Sequence, residues 1–214
     1  MSVRARILIA DDHVLMAEAL QHLLQVDFDV VGHVSDGRAL LKAAQELQPD
    51  VVVVDIGMPL LNGLDAGEQL KARHPAIKVI YLTQNREPRY AVEAFRRKAS
   101  AYLLKDSAAS ELTTAIREAL QDRSYISPAI ARDVVSHASA SADEVSPREL
   151  SGREREVLQL LAEGKSMKEV AAVLEISPRT VEFHKYRIME HLGVRTNAEL
   201  VQHAIKLGLI TPPT

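Results

Sequence analysis

Asp11, Asp12, Asp55, Thr83 and Lys105 are the residues of this 214-residue chain whose types and positions could do chemistry together. Each follows a short apolar run: residues 7–10 before Asp11 and Asp12, 51–54 before Asp55, 77–82 before Thr83 and 101–104 before Lys105. Apolar runs of this length, bounded by turn formers, read as strands buried on both faces. In a parallel sheet their carboxyl ends share one edge, where open α/β sheets bind ligands. Three carboxylates gathered there repel one another unless a cation sits among them. A few hard oxygen donors open to solvent suit Mg²⁺, which keeps waters and phosphate oxygens as its other ligands. A lysine ammonium and a threonine hydroxyl could hold the peripheral oxygens of a phosphoryl group, and a carboxylate such as Asp55 can be the nucleophile that receives it. Taken singly, each aspartate reads more plainly as a helix cap or turn former. Five suitable groups at four strand ends favour the chemical reading.

The elements that must position these groups alternate. Strands over 7–10, 28–34, 51–55, 77–82 and 101–104 are each followed by a helical pattern, at 13–26, about 37–47, 64–73, 88–98 and 108–121. In the first helix Val14, Leu15, Ala19, Leu20, Leu23 and Leu24 form the expected apolar stripe. Asp36 is the expected cap of the second helix, and Ser107 or Asp106 of the fifth. Five such repeats predict a doubly wound, five-stranded parallel sheet with helices on both faces. Residues 1–122 form this domain. Residues 123–147 read as a linker with one short helix over 128–137, then a small, polar, acidic tract that cannot bury a core.

Residues 148–214 predict an all-α domain of four helices. Three S/T-x-x-E capping boxes, at Ser151, Ser166 and Thr196, and the pair Ser177-Pro178 mark their starts. A short second helix, a turn of about three residues and a longer third helix describe a helix-turn-helix, whose later member enters a DNA major groove. The third helix exposes Arg179, Thr180, Glu182, Phe183, His184, Lys185, Tyr186 and Arg187 in this reading. Arg179, Lys185 and Arg187 suit phosphates. The plainer alternative is a basic solvated face.

Composition sets bounds. A net charge of −3 excludes a uniformly basic nucleic-acid binder but not a local patch. The absence of cysteine removes disulfides, thiol catalysis and cysteine zinc sites, and fits a reducing compartment. No apolar run reaches membrane-spanning length, and the first residues lack a signal-peptide pattern. The expectation is a cytoplasmic protein with no membrane partner.

Two resemblances follow from these motifs. Residues 5–121 resemble the receiver domain of two-component response regulators through Ile-Leu-Ile-Ala-Asp11-Asp12-His13, Val-Asp55-Ile-Gly-Met58-Pro59-Leu-Leu-Asn62-Gly63, Leu82-Thr83 and Ala101-Tyr102-Leu-Leu-Lys105-Asp106. A glycine usual before the last of these strands is replaced here by Ser100 or Ala101. The resemblance implies that Asp55 accepts phosphate from a sensor histidine kinase. It implies that Asp11, Asp12, Asp55 and the Gly57 carbonyl hold Mg²⁺, that Thr83 and Lys105 contact the phosphoryl group, and that Tyr102 swings inward when Thr83 moves.

Residues 150–210 resemble the LuxR-type helix-turn-helix of the NarL/FixJ subfamily. The carriers are Leu150-Ser-Gly-Arg-Glu-Arg-Glu-Val-Leu158, Leu-Ala-Glu-Gly164-Lys-Ser166 and Ile176-Ser-Pro-Arg-Thr180-Val181-Glu182-Phe-His184. Met167 stands where asparagine is common. This resemblance implies base reading by Glu182, Phe183 and Tyr186 and backbone contacts from Thr180, His184, Lys185 and Arg187. It also implies double-stranded DNA as partner and a homodimer formed through the last helix.

The expected function is thus a phosphorylation-controlled transcription regulator, not an enzyme beyond its own phosphotransfer and slow dephosphorylation. The alternatives are a phosphohydrolase using Asp55 as nucleophile and a regulator indifferent to phosphorylation. Gly57 offers no second acid for the former. A nucleotide-binding domain is disfavoured because Asp11-Asp12-His13 stands where a glycine-rich fingerprint would begin.

Overall fold

A computed structural model describes residues 4–140 and 150–210. The first body is a parallel sheet with strands β1 (Arg6–Ala10), β2 (Asp29–Val34), β3 (Val51–Asp55), β4 (Lys78–Thr83), β5 (Ala101–Leu104) and β6 (Tyr125–Ile126), ordered β2-β1-β3-β4-β5-β6. The expected five strands are six. Tyr125 and Ile126 pair with Ala101 and Tyr102, and two residues carry no periodicity from which a strand can be read.

The four central strands explain the apolar runs. Leu8, Val52, Val54, Val79, Tyr81, Tyr102 and Leu104 point to one core, and Ile7, Ile9, Val51, Val53, Ile80, Leu82 and Leu103 to the other. Both faces are therefore apolar, which removes the alternation a half-exposed strand shows. The first core is covered by α2 (Gly37–Leu47), α3 (Gly63–Arg73), α4 (Pro88–Arg96) and α6 (Pro128–Ala140). The second is covered by α1 (Val14–Leu24) and α5 (Ala108–Leu120).

Several local expectations change. The buried stripe of α1 is Ala17, Leu20 and Leu24, while Val14 and Leu15 are exposed. Asp36 caps α2 as expected, accepting from the Arg38 and Ala39 amides. Ser107 makes no side-chain cap on α5, because its hydroxyl lies 3.1 Å from that of Ser127. The short helix expected over 128–137 continues to Ala140 as α6, and it packs on the first core through Ile130 and Val134. The rest of the presumed tether, 141–147, falls outside the described residues.

The second body has four helices, α7 (Gly152–Ala162), α8 (Met167–Leu174), α9 (Pro178–Leu192) and α10 (Asn197–Lys206). Its core includes Val157, Leu158, Leu160, Val170, Val181, Ile188 and Leu200. All three capping boxes form, Ser177 accepts from the Thr180 amide, and Gly193 ends α9 at a positive φ of 66°. Among the described residues no helix is long and apolar enough to cross a membrane.

Candidate functional site

The strand ends meet as their sequence positions require. Asp11 continues the sheet beyond β1, its amide donating to the Val34 carbonyl. Asp55 ends β3 in register with Leu82, and Thr83 ends β4 in register with Leu104. The loop after Asp55 is held close by Gly63, where a Cβ would lie 2.1 Å from the Asp55 carbonyl oxygen. Only glycine lets α3 begin that near the site.

At the centre of the crevice the Lys105 ammonium lies 2.8 Å from Asp11 Oδ2 and 2.8 Å from Asp55 Oδ2. All three residues are buried, while Asp12 is exposed. Burial raises the Asp55 carboxyl above its ordinary range, and the adjacent Lys105 only partly offsets this. Burial acts on Lys105 in the opposite sense to its partners: Asp55 and Asp11 prevail and hold its ammonium above the ordinary value. The Gly57 amide donates to Asp55 Oδ1 at 3.2 Å. Thr83 is buried, and its hydroxyl accepts from the Asn85 amide at 3.0 Å.

The donor set fits a divalent cation. One ligand atom from each of Asp11, Asp12, His13 and Asp55 falls within 4.8 Å of the others. Asp11 Oδ2 is buried without a well-directed hydrogen bond, so the ion pair with Lys105 is its main compensation. Carboxylate oxygens are the hard donors that Mg²⁺ selects.

Tyr102 is fully buried beneath the crevice. Its hydroxyl is turned toward Thr83 but makes no hydrogen bond of good geometry, and burial pushes its ionisation far up. The ring is thus already inside, the position expected only after a swing.

The third helix of the second body presents the other candidate surface. On α9, Arg179, Glu182, Phe183, Tyr186 and Arg187 are exposed, whereas Thr180, His184 and Lys185 are half-buried rather than fully exposed as the sequence suggested. The helix must bury Val181 and Ile188 against its neighbours, and residues flanking that stripe are covered in part. Arg187 stacks over the Phe183 ring at 5.7 Å and lies 3.6 Å from Glu154. Large aromatic side chains standing free on a helix beside guanidinium groups form a surface for a partner rather than a core.

Residues 7–117 match the family described as the response regulator receiver domain, and residues 148–204 match the bacterial regulatory proteins of the luxR family. The chain is 33% identical over 209 residues to the response regulator GacA of Pseudomonas viridiflava, spanning 96% of this chain and 97% of that one. It is 33% identical over 214 residues to the oxygen regulatory protein NreC of Staphylococcus carnosus, spanning 96% and 99%.

The chain is a response regulator of the NarL/FixJ type.

Among solved structures it resembles the Salmonella typhimurium RcsB response regulator, at 27% identity and a TM-score of 0.66 over 96% of this chain and 99% of that one. RcsB has also been solved in complex with DNA.

The response regulator also holds its two bodies together, which sequence reasoning missed. Gln159 of α7 is fully buried. Its Oε1 accepts from the Asn62 amide at 2.8 Å and its Nε2 donates to the Met58 carbonyl at 3.1 Å. Glu163 accepts from the Leu60 amide at 2.9 Å. Arg155 pairs with Asp65 at 2.8 Å, and Glu156 receives Arg38 at 2.8 Å and Gln69 at 2.9 Å. These contacts seat α7 on the loop that follows Asp55 and leave much of α9 open. The only local signal was a polar residue, Gln159, inside the apolar run 157–161. His13 was also passed over as a site residue, although its ring lies among the carboxylates.

Proposed function

We propose that this response regulator is switched by phosphorylation of Asp55 by a sensor histidine kinase and binds promoter DNA as a dimer through α9. The observation that carries the reading is the ion-pair triad, in which one buried ammonium lies 2.8 Å from Asp11 and 2.8 Å from Asp55. A buried carboxylate beside a fixed cation, open on its solvent side to further carboxylates, suits in-line attack on a phosphorus atom. Asp55 supplies the attacking oxygen, and the phosphorus–nitrogen bond of a phosphohistidine breaks as the new phosphorus–oxygen bond forms. Lys105 then faces the added negative charge, and the Thr83 hydroxyl reorients as donor to a phosphoryl oxygen. Mg²⁺, bound by Asp11, Asp12, Asp55 and the Gly57 carbonyl, would neutralise charge on the transferring group.

The crevice acts as a switch rather than as an enzyme site. Gly57, two residues after Asp55, offers no side chain to activate water, so the acyl phosphate persists. Its formation biases a two-state equilibrium through the loop contacted by Gln159 and Glu163. Arg179, Lys185 and Arg187 supply phosphate contacts, and Glu182, Phe183 and Tyr186 face base edges. The full-length likeness to RcsB supports DNA as partner.

The test is labelling of the full chain by acetyl phosphate with Mg²⁺. Wild type should acquire one acid-stable, hydroxylamine-labile phosphate, and Asp55→Asn should acquire none. Undiminished labelling of the variant removes Asp55 from its role.

A further inference from the structure

Thr83 is joined to the helical body by a chain of hydrogen bonds separate from the seat of α7. Its Oγ1 accepts from the Asn85 amide at 3.0 Å, Asn85 Oδ1 accepts from the Glu87 amide at 2.8 Å, and the Glu87 carbonyl accepts from the Tyr90 amide at 3.2 Å. The Tyr90 hydroxyl then donates to the Lys206 carbonyl at 3.3 Å. Residues 84–87 are exposed, and Glu87, the N-cap of α4, makes no side-chain cap bond. The polar fastening at the start of α4 therefore runs through Asn85 to Thr83.

Tyr90 ends that chain in a tight contact. It is buried on α4, and the Arg89 guanidinium lies 4.8 Å from its ring centre and donates to its hydroxyl at 3.1 Å. Gly208 follows α10 at a positive φ of 69°. A Cβ there would stand 2.4 Å from Tyr90 Cε1 and 2.8 Å from both Cζ and Oη. The ring thus lies on bare backbone, and only glycine leaves it that room. A shift of α4 either keeps the ring on Gly208 or loses the contact, because close-packed groups switch between arrangements rather than deform continuously.

We infer that Tyr90 is a latch on the end of α10, and that Thr83 releases it on turning to a phosphoryl oxygen. Turning moves Oγ1 off the Asn85 amide, frees residues 84–87 and lets the first turn of α4 carry the Tyr90 ring away from Gly208. Release loosens the hold on α10 while the contacts of α7 remain. The inference rests on phosphorylation of Asp55 and reorientation of Thr83, as proposed above.

Amide hydrogen exchange in the full chain tests it. The Leu209 amide donates to the Ala204 carbonyl at 2.9 Å, so its protection reports on the turn beneath the ring. Acetyl phosphate with Mg²⁺ should speed Leu209 exchange in the wild type by at least about fivefold, the low end of typical coupling between sites. Hydroxylamine-labile phosphate is counted on the same sample. In Tyr90→Ala that amide should exchange fast without phosphate, and phosphate should add less than about twofold. Tyr90→Phe, which keeps the ring, should restore the response. A wild-type chain that carries the phosphate yet leaves Leu209 exchange unchanged overturns the latch while the phosphorylation reading stands, and a chain that acquires no phosphate overturns both. Gly208→Ala checks the contact itself. It strains the turn with or without the ring, but the clash requires the ring, so it should lower the melting temperature more in the wild type than in Tyr90→Ala. Equal losses in the two backgrounds also overturn the latch.

Discussion

Asp55 is a charge that the fold holds at a cost. Burial favours its protonated form, and Lys105 does not fully cancel that preference. A carboxyl that binds its proton more tightly folded than unfolded stabilises the folded state below the ordinary carboxylate value of 3.8, and that contribution is lost as pH rises through the higher folded value. At neutral pH, without divalent cations, Asp55 is therefore an ionised group whose removal should help. Asp55→Asn is expected to raise the melting temperature at pH 7 in EDTA, by roughly 2–4 °C for each kcal/mol relieved in a chain of this size. The gain should shrink as the pH falls and the wild-type carboxyl takes up its proton. Calorimetry across that range decides, and a variant that melts lower than wild type at pH 7 would contradict the electrostatic account. The same residue links stability to function, because a bound cation would offset the same buried charge.

At the scale of elements, the β3–α3 loop is held by side chains of α7 as much as by its own backbone. Gln159 satisfies the Asn62 amide and the Met58 carbonyl in a place closed to solvent. Gln159→Ala leaves both groups unpaired, and a buried unsatisfied polar group costs about 1–3 kcal/mol. Hydrogen exchange should show the Asn62 amide losing protection while the α7 backbone amides keep theirs. Equal loss in both would mean that the variant unfolds the helical body instead. This contact also marks the limit of what the sequence conveys. The strands carrying Asp11, Asp55, Thr83 and Lys105 were legible because buried parallel strands are apolar on both faces and stop at polar residues. The helices of the second body were legible because Ser151, Ser166, Ser177 and Thr196 announce their starts. The strand at Tyr125 and Ile126 was not, since its pairing comes from the neighbour β5 and not from its own pattern. The buried face of α1 was misjudged because Val14 and Leu15 look like core residues and stand in solvent. The seat of α7 was hidden because Arg38, Asp65, Arg155 and Glu156 read equally well as surface charges until their partners from the other body are seen.

The whole molecule is two bodies joined by a largely polar contact, and its arrangement bears on how the switch acts. Arg155 bridges to Asp65 and to Glu68, Arg38 to Glu156, and Tyr90 of α4 donates to the Lys206 carbonyl at the end of α10. None of these contacts covers the exposed residues of α9. Docking in this form therefore restrains where the helix-turn-helix sits without hiding the face that would meet DNA. A masked recognition helix and an open one make different predictions for the same substitution. Arg155→Glu places a carboxylate against buried Asp65 and should separate the bodies, seen as a larger radius of gyration in small-angle scattering. If α9 is open as described, affinity for a duplex carrying a single half-site should change by less than about threefold, since an equal affinity for both arrangements shifts nothing. If the receiver masked α9, the same release would raise half-site affinity by tenfold or more, on the order of the 1–3 kcal/mol typical of coupling between sites. A full two-half-site operator should respond more strongly than the single half-site, because freeing the bodies alters how two copies pair rather than how one helix enters a groove. Strengthened binding to the single half-site upon release would show that a closed form, not this docked one, is the resting state in solution.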